Sequence, residues 1–206
     1  MNPGFEFDGR WTFGNTPVQA RYAMDNPYSG ARSALMGIRP SEPDAYSYSS
    51  IWQTVTIPAD AQSVVLSFYY WPGREEPNDE DWQSSWIFDA DLTVPPLRQV
   101  LKMRSNARTW LYHAQDLIDF RGQTITLYFT AINDGSGDRR TWWYVDDVTL
   151  TVCGSTQVPA VPPQPQHGPD QEFLLRWLNE PTPAASGSRR GILYRWMDFL
   201  RDTARR

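Results

Sequence analysis

The chain has 206 residues, a formal net charge of −5, and 40% hydrophobic against 21% charged side chains. That size and balance suit one sizeable core, or one domain with an appendage. Residues 1–153 carry 12 basic and 19 acidic side chains while residues 154–206 carry seven Arg and five acids, so the body offers no basic surface for nucleic acid.

Aromatic residues make up 14% of the chain, with ten Trp, ten Tyr and nine Phe, and aromatics favour strands. The N-terminal residues do not read as a signal peptide; if the protein is exported, its leader precedes this numbering. Residues 49–57 alternate and are β-branched, and Pro58 ends them. Residues 63–71 follow, with a stop expected at Pro72 and Gly73. Further strands are expected over 82–88, 99–103 and 124–131, the last with Ile125, Leu127 and Phe129 on one face, and over 142–152. A strong turn signal runs from Asn133 to Asp138. Short strands at this spacing, with no helical period between them, predict an all-β antiparallel sandwich over residues 1–153.

The composition changes at Gly154. Residues 154–170 hold a proline-rich, semi-extended linker. Residues 171–206 read as a short helical tail, with Ile192, Trp196, Phe199 and Leu200 at helical spacing. Such a stripe costs about 1.5–3 kcal/mol per large side chain left in water. The tail must therefore bury against its own sandwich, a neighbouring subunit or a membrane surface. The linker favours a subunit contact, and with it homo-oligomerisation through the tail. No stretch of about 18 apolar residues is present to span a membrane as a helix.

Asn2, Pro3, Gly4, Phe5 and Glu6 followed by Trp11, the segment from Tyr28 to Ser33, Ser50 to Pro58, Leu66 to Trp71, Trp110, Gly122 to Thr124, Asn133 to Gly135 and Tyr144 to Val148 form an ordered series. In that order the chain resembles jelly-roll domains of bacterial secreted and surface proteins, similar to carbohydrate-binding modules of the family 4/9/22 type and more distantly to MAM-type domains. The resemblance spans residues 2–153. It implies a jelly-roll β-sandwich of two antiparallel sheets, an extracellular or cell-surface location, and binding rather than catalysis.

The resemblance also implies a structural calcium site. Its ligands would come from Glu6, Ser29, Ser33 and Asp146 or Asp147, since calcium takes six to eight oxygens. Adjacent strand residues point to opposite faces, so Asp146 and Asp147 are not expected to reach one ion together. The alternative is that Glu6 and Asp146 cap turns or pair with Arg32. The acidic run from Arg74 to Asp81 carries five carboxylates and reads as a solvated loop; a second calcium site including Asp89 and Asp91, or a docking loop, is the sharper reading.

Flat aromatic rings can stack on the apolar faces of sugars. Trp71, Trp82, Trp86, Trp142 and Trp143 are the candidates for such a platform, with core packing as the competing role. Trp82 and Trp86 share a face, and Trp142 and Trp143 take opposite faces. No enzyme is expected: His113 and His167 lack a zinc spacing, and no nucleophile–base constellation is recognisable. Cys153 is the single cysteine, so no intrachain disulfide can form; a buried thiol or an intermolecular disulfide is expected. Two functions remain: a calcium-stabilised polysaccharide-binding module, and a structural subunit of a cell-surface assembly whose tail contacts its neighbour.

Overall fold

The computed structural model describes residues 2–75, 81–136 and 139–154. Nearly all of the expected linker, and the whole tail with Ile192, Trp196, Phe199 and Leu200, lie outside the described residues.

Ten strands are described: β1 (Thr12–Phe13), β2 (Arg21–Ala23), β3 (Ser33–Gly37), β4 (Tyr46–Thr56), β5 (Ser63–Arg74), β6 (Trp82–Asp89), β7 (Arg98–Met103), β8 (Leu111–Asp116), β9 (Thr124–Asp134) and β10 (Thr141–Cys153). They form two five-stranded sheets, ordered β1-β4-β9-β6-β7 and β2-β3-β10-β5-β8. Every pairing is antiparallel. The all-β jelly-roll sandwich expected from the sequence is the fold.

Alternation builds the core. Ile51, Gln53 and Val55 on β4 lie opposite Phe129, Leu127 and Ile125 on β9. From the other sheet Val64, Leu66, Phe68, Trp143 and Val145 enter the same cluster. Phe129 meets Phe68 edge-on at 5.1 Å between ring centroids and Trp143 at 6.1 Å. Each such side chain, fully buried, contributes about 1.5–3 kcal/mol, and the cluster is what holds the sheets face to face.

Four strands were not anticipated. β1 and β2 have two and three residues, too few for alternation to show. β3 and β8 are short strands, and β8 is an edge. The stop expected at Pro72 does not occur, because β5 runs through to Arg74. Pro72 lies opposite Trp143 on β10, and its carbonyl accepts from the Arg108 N–H on the far side at 3.0 Å. A residue's N–H and C=O point to the same side of a strand, so the missing N–H of Pro72 faces away from β10 and costs the ladder nothing. Gly73 then allows the indole of Trp142 to lie against the backbone, where an added Cβ would come within 2.4 Å of the ring.

Candidate functional site

Residues that alternate with the core positions of β4, β9 and β6 face outward from the β1-β4-β9-β6-β7 sheet. The register places Tyr48, Ser50, Trp52 and Thr54 of β4 beside Ile132, Thr130, Tyr128 and Thr126 of β9, and these beside Trp82, Ser84, Trp86 and Phe88 of β6. The result is a row of rings with hydroxyls between them. Trp52 and Tyr128 are near-parallel, with centroids 5.9 Å apart and planes at 22°. Phe88 meets Tyr128 edge-on at 5.3 Å. Tyr46 and Tyr48 meet edge-on at 5.1 Å and share a hydrogen bond between their hydroxyls. Lys102 Nζ lies 3.8 Å and the Arg104 guanidinium 3.5 Å from the Trp82 ring centroid, a cation–π arrangement.

Exposure along this row is uneven. Trp52, Trp86, Phe88 and Tyr128 are buried, Tyr48 and Trp82 are half-buried, and Tyr46 is exposed. Burial pushes the phenols of Tyr46, Tyr48 and Tyr128 up from the ordinary tyrosine value, so all three stay neutral and present hydroxyls as donors.

The five tryptophan candidates for a platform are divided among three places. Trp82 and Trp86 do share the outer face just described, but Trp86 is buried, with its Nε1 donating to Ser84 Oγ at 2.9 Å. Trp143 is fully buried between the sheets, so it offers no ring to a ligand; alternation on β10 puts it inward. Trp142 faces the other way and is also buried, packed with Leu35 and Tyr144 and flanked by Trp71 and Trp110. Trp71 is half-buried on the outer face of the β2-β3-β10-β5-β8 sheet. The rings that sequence reasoning missed, Tyr46, Tyr48, Trp52 and Tyr128, were marked by the same alternation that put Ile125, Leu127 and Phe129 inward.

The residues expected to hold calcium do gather in one corner. Glu6 accepts the Ala31 N–H at 3.1 and 3.0 Å and the Arg32 N–H at 3.2 Å. Asp146 Oδ2 accepts the N–H groups of Tyr28 and Ser29 at 2.8 and 3.2 Å, and its Oδ1 the N–H of Asp147 at 2.7 Å. Ser29 Oγ donates to Asp147 Oδ1 at 3.0 Å, and Ser33 Oγ to the Asn26 carbonyl at 2.9 Å. Both aspartates hydrogen-bond to the 28–31 turn, although neighbouring strand residues ordinarily face opposite ways. A register shift falls between Asp146 and Thr149 and Asp147 has a left-handed backbone, φ 47°. The resulting bulge breaks the alternation and turns both carboxylates to the 28–31 turn. Asp146 is fully buried, and desolvation raises its carboxyl to about 6 despite the three N–H donors.

Glu6 and Asp147 also converge over Gly4, where an added Cβ would lie 3.3 Å from Asp147 Oδ1 and 3.7 Å from Glu6 Oε1. A carboxylate has about four lone-pair sites, so the amide contacts leave room for a cation at this pair. Asp146 is different: both of its oxygens face amide hydrogens, and it does not fit as a ligand in this arrangement. Among the described residues no three His, Cys, Asp or Glu side chains form a metal cluster, so any ion here would draw most of its oxygens from the backbone and water. Farther away, Asp89 Oδ1 caps its own turn through the N–H groups of Asp91 and Thr93, and Asp81 Oδ1 accepts the Asp134 N–H at 2.9 Å. Residues 76–80 of the acidic run lie outside the described residues.

No protein-family model and no curated protein matches the sequence. Solved structures do match in fold. A family 61 carbohydrate-binding module in complex with β-1,4-galactotriose is 14% identical, with a TM-score of 0.53 over 73% of this chain and 95% of that one. The fold is that of a carbohydrate-binding-module jelly roll. The family 22 xylan-binding domain of Paenibacillus barcinonensis is 14% identical, at a TM-score of 0.50 over 75% and 94%. The K1 cleaved adhesin domain of Lys-gingipain from Porphyromonas gingivalis is 10% identical, at 0.51 over 73% and 96%.

Two further features of this jelly roll concern its reactive side chains. His113 faces inward on β8 against Phe68, with ring centroids 5.3 Å apart, and burial lowers its pKa, favouring the neutral imidazole. Cys153, for which burial was the commoner expectation, is exposed as a free thiol at the end of β10, because it alternates with Leu150 and Val152 and so falls on the outer face with Thr149 and Thr151.

Proposed function

We propose that the protein is a non-catalytic, extracellular carbohydrate-binding module that holds a polysaccharide along the outer face of the β1-β4-β9-β6-β7 sheet. The observation that carries this reading is the row of rings and hydroxyls across β4, β9 and β6. Sugar rings present apolar C–H faces that pack on aromatic planes, while their hydroxyls need donors and acceptors alongside. Tyr46, Tyr48 and Trp82 are the rings within reach of solvent, and Trp52, Tyr128 and Phe88 hold the face in shape. Lys102 and Arg104 add N–H donors beside Trp82. The solved relatives of this fold bound to β-1,4-galactotriose or named for xylan binding suggest β-1,4-linked chains as first substrates to try.

We also propose a structural calcium ion at Glu6 and Asp147, tying the N-terminal segment to the turn at 28–31. Its role is to hold the corner, not to touch sugar.

Native affinity electrophoresis in gels containing arabinoxylan or β-1,4-galactan tests the binding reading. The wild-type chain should be retarded, and Trp82→Ala with Tyr48→Ala should weaken retardation by about tenfold, the loss expected for removing stacked aromatic contact. Unchanged migration of the folded double variant in a gel that retards the wild type would remove this face from the binding site.

A further inference from the structure

The opposite sheet carries a second aromatic surface that the proposed sugar-binding face does not use. On β5, Val64, Leu66 and Phe68 point into the core, so Tyr69 and Trp71 point outward. The ring of Tyr28 lies flat on that of Tyr69, with centroids 3.6 Å apart and planes at 14°. Trp110 meets Tyr28 edge-on at 5.5 Å. Tyr112, paired with Tyr69 across the β5–β8 ladder, meets it at 5.2 Å. Tyr28 and Tyr112 remain 42% and 58% exposed.

The flat stack sets one face of Tyr28 against Tyr69, while the side chain as a whole remains accessible to solvent. The backbone that carries this ring is anchored, because the N–H groups of Tyr28 and Ser29 both donate to the buried Asp146 carboxylate. Holding a ring ready in this way lowers the ordering cost of binding. Polar groups stand beside it: Ser29 Oγ with Asp147 Oδ1, and the Tyr144 hydroxyl with Asp25 Oδ2, which also takes Arg39. Asp25, paired with Arg39, and the Tyr144 hydroxyl offer hydrogen-bonding groups to sugar hydroxyls without a net positive charge to draw an anionic ligand.

We propose that Tyr28, Tyr69, Tyr112 and Trp110 form a second sugar-stacking surface, on the opposite side of the sandwich from the Trp82 face, that takes the apolar faces of a neutral, uncharged polysaccharide. With both faces engaged, one domain bridges two polysaccharide chains, or two stretches of one, and binding gains from the second contact without new affinity at either face.

The full chain tests this in affinity gels of arabinoxylan and β-1,4-galactan. In the Trp82→Ala/Tyr48→Ala background, residual retardation is expected, and adding Tyr28→Ala should remove it. Tyr112→Ala, at an edge strand, should independently weaken it by about tenfold, and Tyr28→Phe, which keeps the plane, should retain it. Unaltered thermal melts of Tyr112→Ala separate lost binding from lost folding. The proposal is overturned if Tyr28→Ala and Tyr112→Ala migrate as their parents in both backgrounds, or if no residual retardation exists. It is equally overturned if the chain self-associates in sedimentation and Tyr112→Ala abolishes that association while sugar retention is unchanged, since the strip would then be a protein interface.

Discussion

Asn133 on β9 and Thr141 on β10 are joined by two hydrogen bonds that cross from one sheet to the other. Asn133 Nδ2 donates to the Thr141 carbonyl at 2.9 Å, and its Oδ1 accepts the Thr141 N–H at 2.8 Å. Both residues are fully buried. The side-chain amide thus does the work of a backbone ladder at the point where the chain passes between sheets. The Thr141 carbonyl has a second donor in the Ile38 N–H at 3.0 Å, but the Thr141 N–H depends on Asn133. Asn133→Ala should therefore cost about 1–3 kcal/mol, the penalty for one buried unsatisfied donor. Asn133→Asp keeps the acceptor but sets a carboxylate oxygen against the Thr141 carbonyl, and should destabilise further. Urea unfolding checks both, with a lowered midpoint and unchanged slope as the expected result.

Gly73 and Trp142 form a second close relationship. A Cβ at Gly73 would fall 2.4 and 2.5 Å from Trp142 Cε2 and Cζ2, and the indole is buried among Leu35 and Tyr144. Gly73→Ala should cost about 1–3 kcal/mol through overpacking. Trp142→Leu removes the clash and should make the alanine much better tolerated, so the two substitutions should be non-additive in thermal melts. Simple additivity would mean that the ring is not what excludes a side chain at position 73.

Where period-two patterning is long, the sequence disclosed the structure. The alternation of 124–131 located the core face of β9, and the run at 49–57 located most of β4, which the structure pairs with β9. The same patterns held the outward rings Trp52 and Tyr128, which became a site only once the two strands were laid side by side. What stayed hidden depends on geometry that no local pattern carries. The passage of β5 through Pro72 turns on which side that residue's amide faces. The convergence of Asp146 and Asp147 turns on a bulge and one left-handed residue. The tryptophan candidates were separated because alternation says only that Trp142 and Trp143 oppose each other, whereas packing buries Trp143 between the sheets and Trp142 against Leu35 and Tyr144, so that neither is open to a ligand.

The calcium reading makes a thermal prediction. Protein stripped with a chelator should melt at a higher temperature when calcium is restored, since a ligand at about 100 times its dissociation constant stabilises by about 2.7 kcal/mol. Magnesium, which is smaller and keeps its waters, should do much less. Glu6→Gln should abolish the calcium shift while leaving an amide acceptor for the Ala31 N–H. A melting temperature indifferent to calcium would leave Glu6 as a turn cap alone.

Asp146 should make stability fall as pH rises. Its folded carboxyl titrates at about 6, above the ordinary aspartate value of 3.8, because desolvation outweighs its three N–H donors. Between those two values the folded state holds a proton that the unfolded state has released. Unfolding free energy therefore decreases with rising pH across this window and levels off above about 6. Asp146→Asn should remove that slope. It should also lower stability at acidic pH, because one of its two side-chain positions becomes an N–H₂ facing backbone donors, with the Tyr28–Ser29 turn or Asp147 losing its acceptor. Urea unfolding of wild type and variant at several pH values between about 4 and 7.5 reads the difference between the two curves, which isolates Asp146 from the other carboxylates. Parallel curves would mean that this carboxylate stays charged when buried, and that its three amide donors outweigh the loss of water after all.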